Sequence, residues 1–306
     1  MTEDAITTEN LTKHFGDVRA VESVSLNVGR GEIYGFLGLN GAGKSTTIGM
    51  LMGMIHSTSG SAFLFGEKVD PFAYRLWESV GFLAETPNAC PELTVHENLE
   101  IVRRMRGLAD RDAVDSAIDR LGLAAYGDRK ARHLSLGNAR RLGLARALIH
   151  DPDLLILDEP ANGLDPAGIV EIRHLLRELA SDRGVTVFIS SHILGEVSRV
   201  VDRIGIIHEG RLLQEVPADR LESFLKRELI VDARDRRAAC AILEEAGYGV
   251  RSSEEGPLGI LDEDAIRHPE EIARVLVNGG EPPTLLNVEE EELESYFLRM
   301  LGVDAR

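Results

Sequence analysis

The stretch GLNGAGKS at residues 38–45 restricts what this chain can be more than any other. It satisfies G-x-x-x-x-G-K-[ST] in full, follows a run that predicts a strand (EIYGFL, 32–37), and opens a helical pattern over 44–54. Glycines let backbone N–H groups converge on phosphate oxygens, and a helix N-terminus adds partial positive charge at the same place. Lys44 supplies a point charge for the β- and γ-phosphates, and Ser45 offers a hydroxyl to Mg²⁺. Gly38, Asn40, Gly41, Ala42, Gly43, Lys44, Ser45 and Thr46 are therefore the candidate nucleotide contacts. A chance glycine loop would lack the strand before it and the helix after it.

Two later strand ends carry matching chemistry. LLILDE (154–159) is a short apolar run closed by Asp158 and Glu159, which suits a buried parallel strand whose C-terminal end faces a site. An Asp there can orient Mg²⁺ and its waters, and a Glu directly after it can polarise the attacking water as general base. An acidic turn after a buried strand is common in isolation. The phosphate loop upstream and a third element downstream favour the functional reading. That third element is His192, in SSH after the strand VTVFISS, where an imidazole can reach a γ-phosphate and report its presence.

With 306 residues the chain can form one large domain and a smaller one. No apolar run approaches the ~18–20 residues needed to span a bilayer, and the acidic start MTEDAITTEN does not read as a secretory signal. A cytoplasmic chain is expected. The net charge of −17 argues against direct nucleic-acid binding. Cys90 and Cys240, far from any CxxC or His-rich context, are expected to be buried or inert thiols.

Strands are predicted over 6–12 and 21–28, mostly helix from 95 to 148, a helix over 168–179 and a hairpin in RIGIIHEGRLL (203–213). The character changes after about residue 226. Beyond it the pattern β-α-β-β-α-β predicts a small ferredoxin-like unit, with 8 Lys/Arg against 19 Asp/Glu from residue 228 onward. The acidic run 289–292 reads as the solvated first turn of the last helix.

The ordered set GLNGAGKST, LSLGN (134–138) with ARRLGLARALIHDP, LLILDEP, NGLDP (162–166) and SSH closely resembles the ATP-binding subunits of ABC transporters, over residues 6–215. The fold class implied is α/β: an ABC-type P-loop NTPase domain over 1–226, a mixed sheet with a helical subdomain at about 86–147, followed by an accessory α+β ferredoxin-like domain over 227–306. The resemblance implies that Phe15 stacks on adenine, that Asp158 is the metal-associated acid, Glu159 the base and His192 the γ-phosphate switch. Asp165 would lie in the loop crossing between two subunits. Ser135 and Gly137 would act in trans on the γ-phosphate held by a partner's phosphate loop, so a head-to-tail homodimer is implied. ATP and Mg²⁺ are the implied cofactors. A separate multi-spanning permease is the implied second partner, with the chain peripheral at the inner face of the membrane.

The sequence departs from the family pattern in two places. Leu136 and Asn138 replace the usual residues in LSLGN, and Glu85, in FLAETPN (82–88), stands where the family usually has Gln. That position normally senses Mg²⁺ and the attacking water. An ionised Glu accepts hydrogen bonds as Gln does but donates none, and its charge is tolerable near phosphates only beside the metal or another cation. ETPNACPELTVHENL together with SLG resembles the bacitracin/lantibiotic type of drug exporter. The implied activity is ATP hydrolysis driving export of a drug, peptide antibiotic or other hydrophobic cargo, with an ion or lipid exporter as an alternative. A soluble ABC ATPase of translation or DNA maintenance fits less well. The former usually carries two motif sets in one chain, and the latter needs long coiled coils between its halves.

Overall fold

The computed structural model describes residues 4–70, 72–86, 89–251, 256–300 and 302. The chain divides into two compact units, Met1–Asp219 and Arg220–Arg306.

The first unit is built on two sheets. The larger has six strands in the order Arg211–Pro217, Arg203–His208, Ile33–Leu37, Thr186–Ser191, Leu154–Asp158, Val80–Leu83. All neighbours are parallel except the terminal hairpin of Arg203–His208 with Arg211–Pro217. The three central strands are buried at every residue, which explains why IYGFL, LLILD and TVFISS lack hydrophobic alternation: both faces are covered. Tyr34 stacks on Phe188 at 5.6 Å, and Phe36 packs on the same ring at 5.4 Å. The second sheet is antiparallel, in the order Val18–Val24, Ile6–Phe15, Ser59–Leu64, Glu67–Lys68, with Asn27–Val28 also paired to Ile6–Phe15.

Between Val80–Leu83 and Leu154–Asp158 the chain forms helices Val95–Met105, Ala113–Arg120 and Leu136–Leu148. The first starts from a capping box: Thr94 Oγ1 accepts from Glu97 N, and Glu97 Oε2 accepts from Thr94 N. The loop before it is organised by Asn98, which is buried. Its Oδ1 accepts from Cys90 N at 2.7 Å, and its Nδ2 donates to the carbonyls of Cys90, Leu93 and Thr94 at 2.8–3.2 Å. Asn is the side chain that can both donate and accept at this spot.

The second unit has four strands in the order Val250–Arg251, Leu258–Ile260, Arg227–Ala233, Pro283–Glu290, every neighbour antiparallel. Helices Arg236–Glu245 and Pro269–Asn278 contribute Ala239, Leu243, Ile272 and Leu276 to a core shared with Leu229, Val231 and Ile260.

Two expectations need correction. Glu289 and Glu290 end a strand, paired with Glu228 and Arg227, and the last helix begins at Leu293. Glu291 is a connector residue: its carboxylate takes Arg299 at 2.7 Å and the Lys226 N–H at 2.9 Å. Strand pairing and a local Arg therefore decide this run, where helix-dipole reasoning had put a first turn. The thiols are not fully buried either. Cys90 is exposed and Cys240 half-buried, its pKa raised by burial and by Glu244. At Cys90 it is the backbone that Asn98 holds, so the thiol is left outward.

Asn98→Ala leaves three carbonyls and one N–H of the 90–94 loop without their partner. It should lower unfolding stability by about 2 kcal/mol. Urea denaturation of the variant checks this, and a shift under about 0.5 kcal/mol would mean that water replaces the amide without cost.

Candidate functional site

Parallel register gathers the strand ends. Leu37 pairs with Ser191, Asp158 with Ser190, and Leu83 with Leu157. The phosphate loop from Gly38, the Asp158-Glu159 step, His192 and Glu85 therefore all leave the sheet at its C-terminal edge, where open α/β sheets bind ligands.

In the phosphate loop, Gly38 N–H donates to Ser191 O at 3.2 Å. A Cβ on Gly38 would stand 2.5 Å from Ile207 O, and one on Gly43, at φ 108°, would stand 2.5 Å from Ala20 O. Neighbouring backbone fills the space a side chain would need, so glycine is required at both. Helix Lys44–Leu51 follows, with no side-chain cap at Gly43, so its first N–H groups suit an anion. Asn40, Gly41 and Ser45 are exposed, Thr46 is half-buried, and Ala42 is buried with its carbonyl accepting from Gly210 N at 2.9 Å. Lys44 is buried. Its Nζ donates to Gly38 O at 2.7 Å and Leu39 O at 3.2 Å, and stands 3.3 Å from Glu159 Oε1.

The acidic pair is anchored by Ser190. The Ser190 hydroxyl donates to Asp158 Oδ1 at 2.5 Å and accepts from Glu159 N at 3.1 Å. Both acids are buried, and Glu159 takes φ 51°. A left-handed non-glycine residue costs of order 1–3 kcal/mol, strain of a kind that clusters at functional sites. It turns the Glu159 carboxylate toward two partners: Lys44 on Oε1 and His192 Nδ1 at 2.9 Å from Oε2. A carboxylate only accepts, so Nδ1 carries the proton.

Other predicted residues lie apart from this cluster. Phe15 ends its strand half-exposed, with Lys13 Nζ 4.8 Å from the ring centroid. Glu85 is exposed, in the bend after Val80–Leu83, and the neighbouring Pro87 and Asn88 of FLAETPN lie outside the described residues. Ser135 caps helix Leu136–Leu148 by accepting from Asn138 N at 3.3 Å. Leu136, 58% exposed, leans over Gly163, where a Cβ would come within 2.2 Å of its side chain. Asp165 caps helix Pro166–Arg183 through Gly168 N at 2.8 Å. Among the described residues no hydrogen bond or ion pair joins Ser135, Gly137 or Asp165 to the Lys44–Glu159–His192 cluster.

Ser190 was missed in sequence. The available signal was a polar pair, SS, closing an otherwise apolar strand, with the first serine in register with Asp158.

Among the described residues no group of three or more His, Cys, Asp or Glu is arranged to hold a metal. The donor set fits Mg²⁺ all the same, because that ion is commonly bound through one or two carboxylates plus substrate phosphates and waters. Asp158 and the Ser45 hydroxyl are protein groups at this edge that would serve, with Glu85 as the third expected from the sequence.

The family described as "ABC transporter" matches residues 21–162. The bacitracin transport ATP-binding protein BcrA of Bacillus licheniformis is 40% identical over 298 residues, covering 97% of each chain. The lantibiotic transport ATP-binding protein SrtF of Streptococcus pyogenes is 36% identical over 74% of this chain and 98% of its own length. A solved dimeric ATP-binding cassette in a post-hydrolysis state with ADP and Pi superposes with TM-score 0.65 at 25% identity, over 70% of this chain and 98% of that one.

Ser190→Ala removes the group that orients both acids at once. It should lower ATP hydrolysis by about tenfold or more, while a non-hydrolysable ATP analogue binds within about threefold of wild type. Steady-state kinetics with analogue titration checks this, and unchanged hydrolysis would leave Ser190 a packing residue.

Proposed function

The chain belongs to the ATP-binding proteins of ABC transporters, and from that premise we propose that it is the subunit whose ATP hydrolysis drives export of a peptide antibiotic or similar hydrophobic cargo through a separate multi-spanning permease. The observation that carries this reading is the convergence of Lys44, Asp158, Glu159 and His192 on one sheet edge. The cargo class rests on the names of relatives matched over nearly the full chain. The membrane path belongs to the partner, since among the described residues no helix is long and apolar enough to cross a bilayer.

The chemistry follows from what each side chain can do. Lys44 meets the β- and γ-phosphates from within the loop, and phosphate oxygens that take over its ammonium release Glu159 Oε1. The freed carboxylate accepts the proton of the attacking water. His192 donates to Glu159 Oε2 through Nδ1, and a hydrogen bond from its other ring nitrogen to the γ-phosphate requires a proton there as well. Asp158, fixed by Ser190, and the Ser45 hydroxyl would hold Mg²⁺, which when bound would neutralise charge developing on the phosphates. Glu85, in the bend after the neighbouring strand, would complete the metal side, and Phe15 offers a ring face to adenine.

Ser135 and Gly137 sit at the exposed start of a helix, apart from this chain's own cluster, as a group serving a second copy would. With Asp165 they define the face for a head-to-tail homodimer, a reading supported by dimeric cassettes among the structural neighbours. We read residues 227–306 as an accessory ferredoxin-like domain, because its four strands, numbered in chain order, run 4-1-3-2 with all neighbours antiparallel.

Glu159→Gln keeps the size of the side chain and removes the base. Hydrolysis should fall about a hundredfold or more while ATP still binds, and gel filtration with Mg-ATP should show an ATP-held dimer. Hydrolysis within about threefold of wild type would exclude Glu159 as the base.

A further inference from the structure

Asp158 and Glu159 are buried at the site edge and Glu85 stands exposed in the bend after the neighbouring strand, so this edge concentrates negative charge while Lys44 also has to serve phosphate. The structure contains a second buried cation. Arg140 lies one turn into helix Leu136–Leu148, the helix that Ser135 caps, and is only 2% exposed. Its Nη1 donates to Ala84 O at 3.0 Å, the carbonyl just before Glu85, and its Nε has no hydrogen-bond partner. The neighbouring Arg141 faces elsewhere, donating to Leu121 O at 3.3 Å and to Glu171 at 2.5 Å. Burying a guanidinium with so few hydrogen bonds is costly unless nearby negative charge offsets it. Burial indeed pulls the Arg140 pKa down, and Glu85, then Asp158 and Glu159, act against that pull. An acid at position 85 needs a cation beside it to be tolerated near phosphates, and Arg140, bonded to the carbonyl just before it, supplies one.

We propose that Arg140 is a positioning residue of the hydrolytic site: it holds the Ala84–Glu85 bend through the Ala84 carbonyl, balances the carboxylates nearby, and ties that bend to the helix whose N-terminus carries Ser135 and Gly137. A single buried side chain then links the residue that senses the metal and water to the residues presented to a second copy. Movement of the helix changes where Glu85 stands, and the reverse also holds. The inference rests on the ATPase reading above.

A double-mutant cycle on the purified full chain, with rates measured from sub-saturating to saturating Mg-ATP, tests it. Arg140→Gln should lower kcat about tenfold with KM for ATP within about threefold. In a Glu85→Gln background, where one of the three charges is gone, the same substitution should cost less than about threefold. Arg140→Lys keeps the charge without the planar fork and should fall between wild type and Arg140→Gln. Thermal melting identifies any variant that fails to fold; if Arg140→Gln is one, the cycle is run with Arg140→Lys, and a smaller loss in the Glu85→Gln background is again the supporting result. Equal losses in both backgrounds, or no loss in either, overturn the inference while leaving the ATPase reading intact. A wild-type chain that hydrolyses no ATP overturns that reading and this inference together.

Discussion

A lysine ammonium and a glutamate carboxylate, both buried, stand 3.3 Å apart where parallel strands end. Neither charge could be kept there alone, because desolvation without a partner costs several kcal/mol per ion. The pair exists because the phosphate loop and the Asp-Glu step leave one sheet at the same edge, with Thr186–Ser191 between them. That middle strand supplies Ser190 to both acids and delivers His192 to the second Glu159 oxygen. A one-residue slip in register would turn Ser190 away from Asp158 and dissolve the arrangement.

The same edge gives a nucleotide contacts to exchange for those already there. Lys44 has two loop carbonyls and Glu159 as partners, all of which phosphate oxygens can replace. Glu159 is held in a left-handed backbone whose strain is met by the hydrogen bonds around it. A nucleotide that draws Lys44 away would leave Glu159 on His192 alone, which in the proposed mechanism readies it as the base.

Much of this was legible in the sequence because it depends on local chemistry. The phosphate loop needs glycines at fixed spacing, and the structure gives the reason at Gly38 and Gly43, where neighbouring backbone occupies the place of a Cβ. Buried parallel strands read as unbroken apolar runs, which made LLILD and TVFISS visible. Less legible was whatever long-range packing decides. The strand SGSAFL at Ser59–Leu64 has a weak pattern of its own and forms because Ile6–Phe15 pairs with it. Arg140, an ordinary basic residue in a helical run, acquires meaning only when the fold buries it against the Ala84 carbonyl beside Glu85. Asn98, in ENL, reads as an exposed helical polar residue until the preceding loop closes over it. The misread acidic run at 289–292 belongs to the same class, since strand pairing with Arg227 and Glu228 overrode a local helix signal.

The central claim is that this edge is one half of a site completed by a second copy. Mixing two inactive variants tests it most directly. Lys44→Ala removes the phosphate cradle's cation, and Ser135→Arg blocks the face presented to the partner. Each alone should hydrolyse little ATP. In an equal mixture half the dimers pair the two variants, and each such dimer holds one intact composite site, so hydrolysis should recover to about a quarter of the wild-type rate if sites act independently. A mixture that stays at the sum of the two separate rates would contradict the shared site.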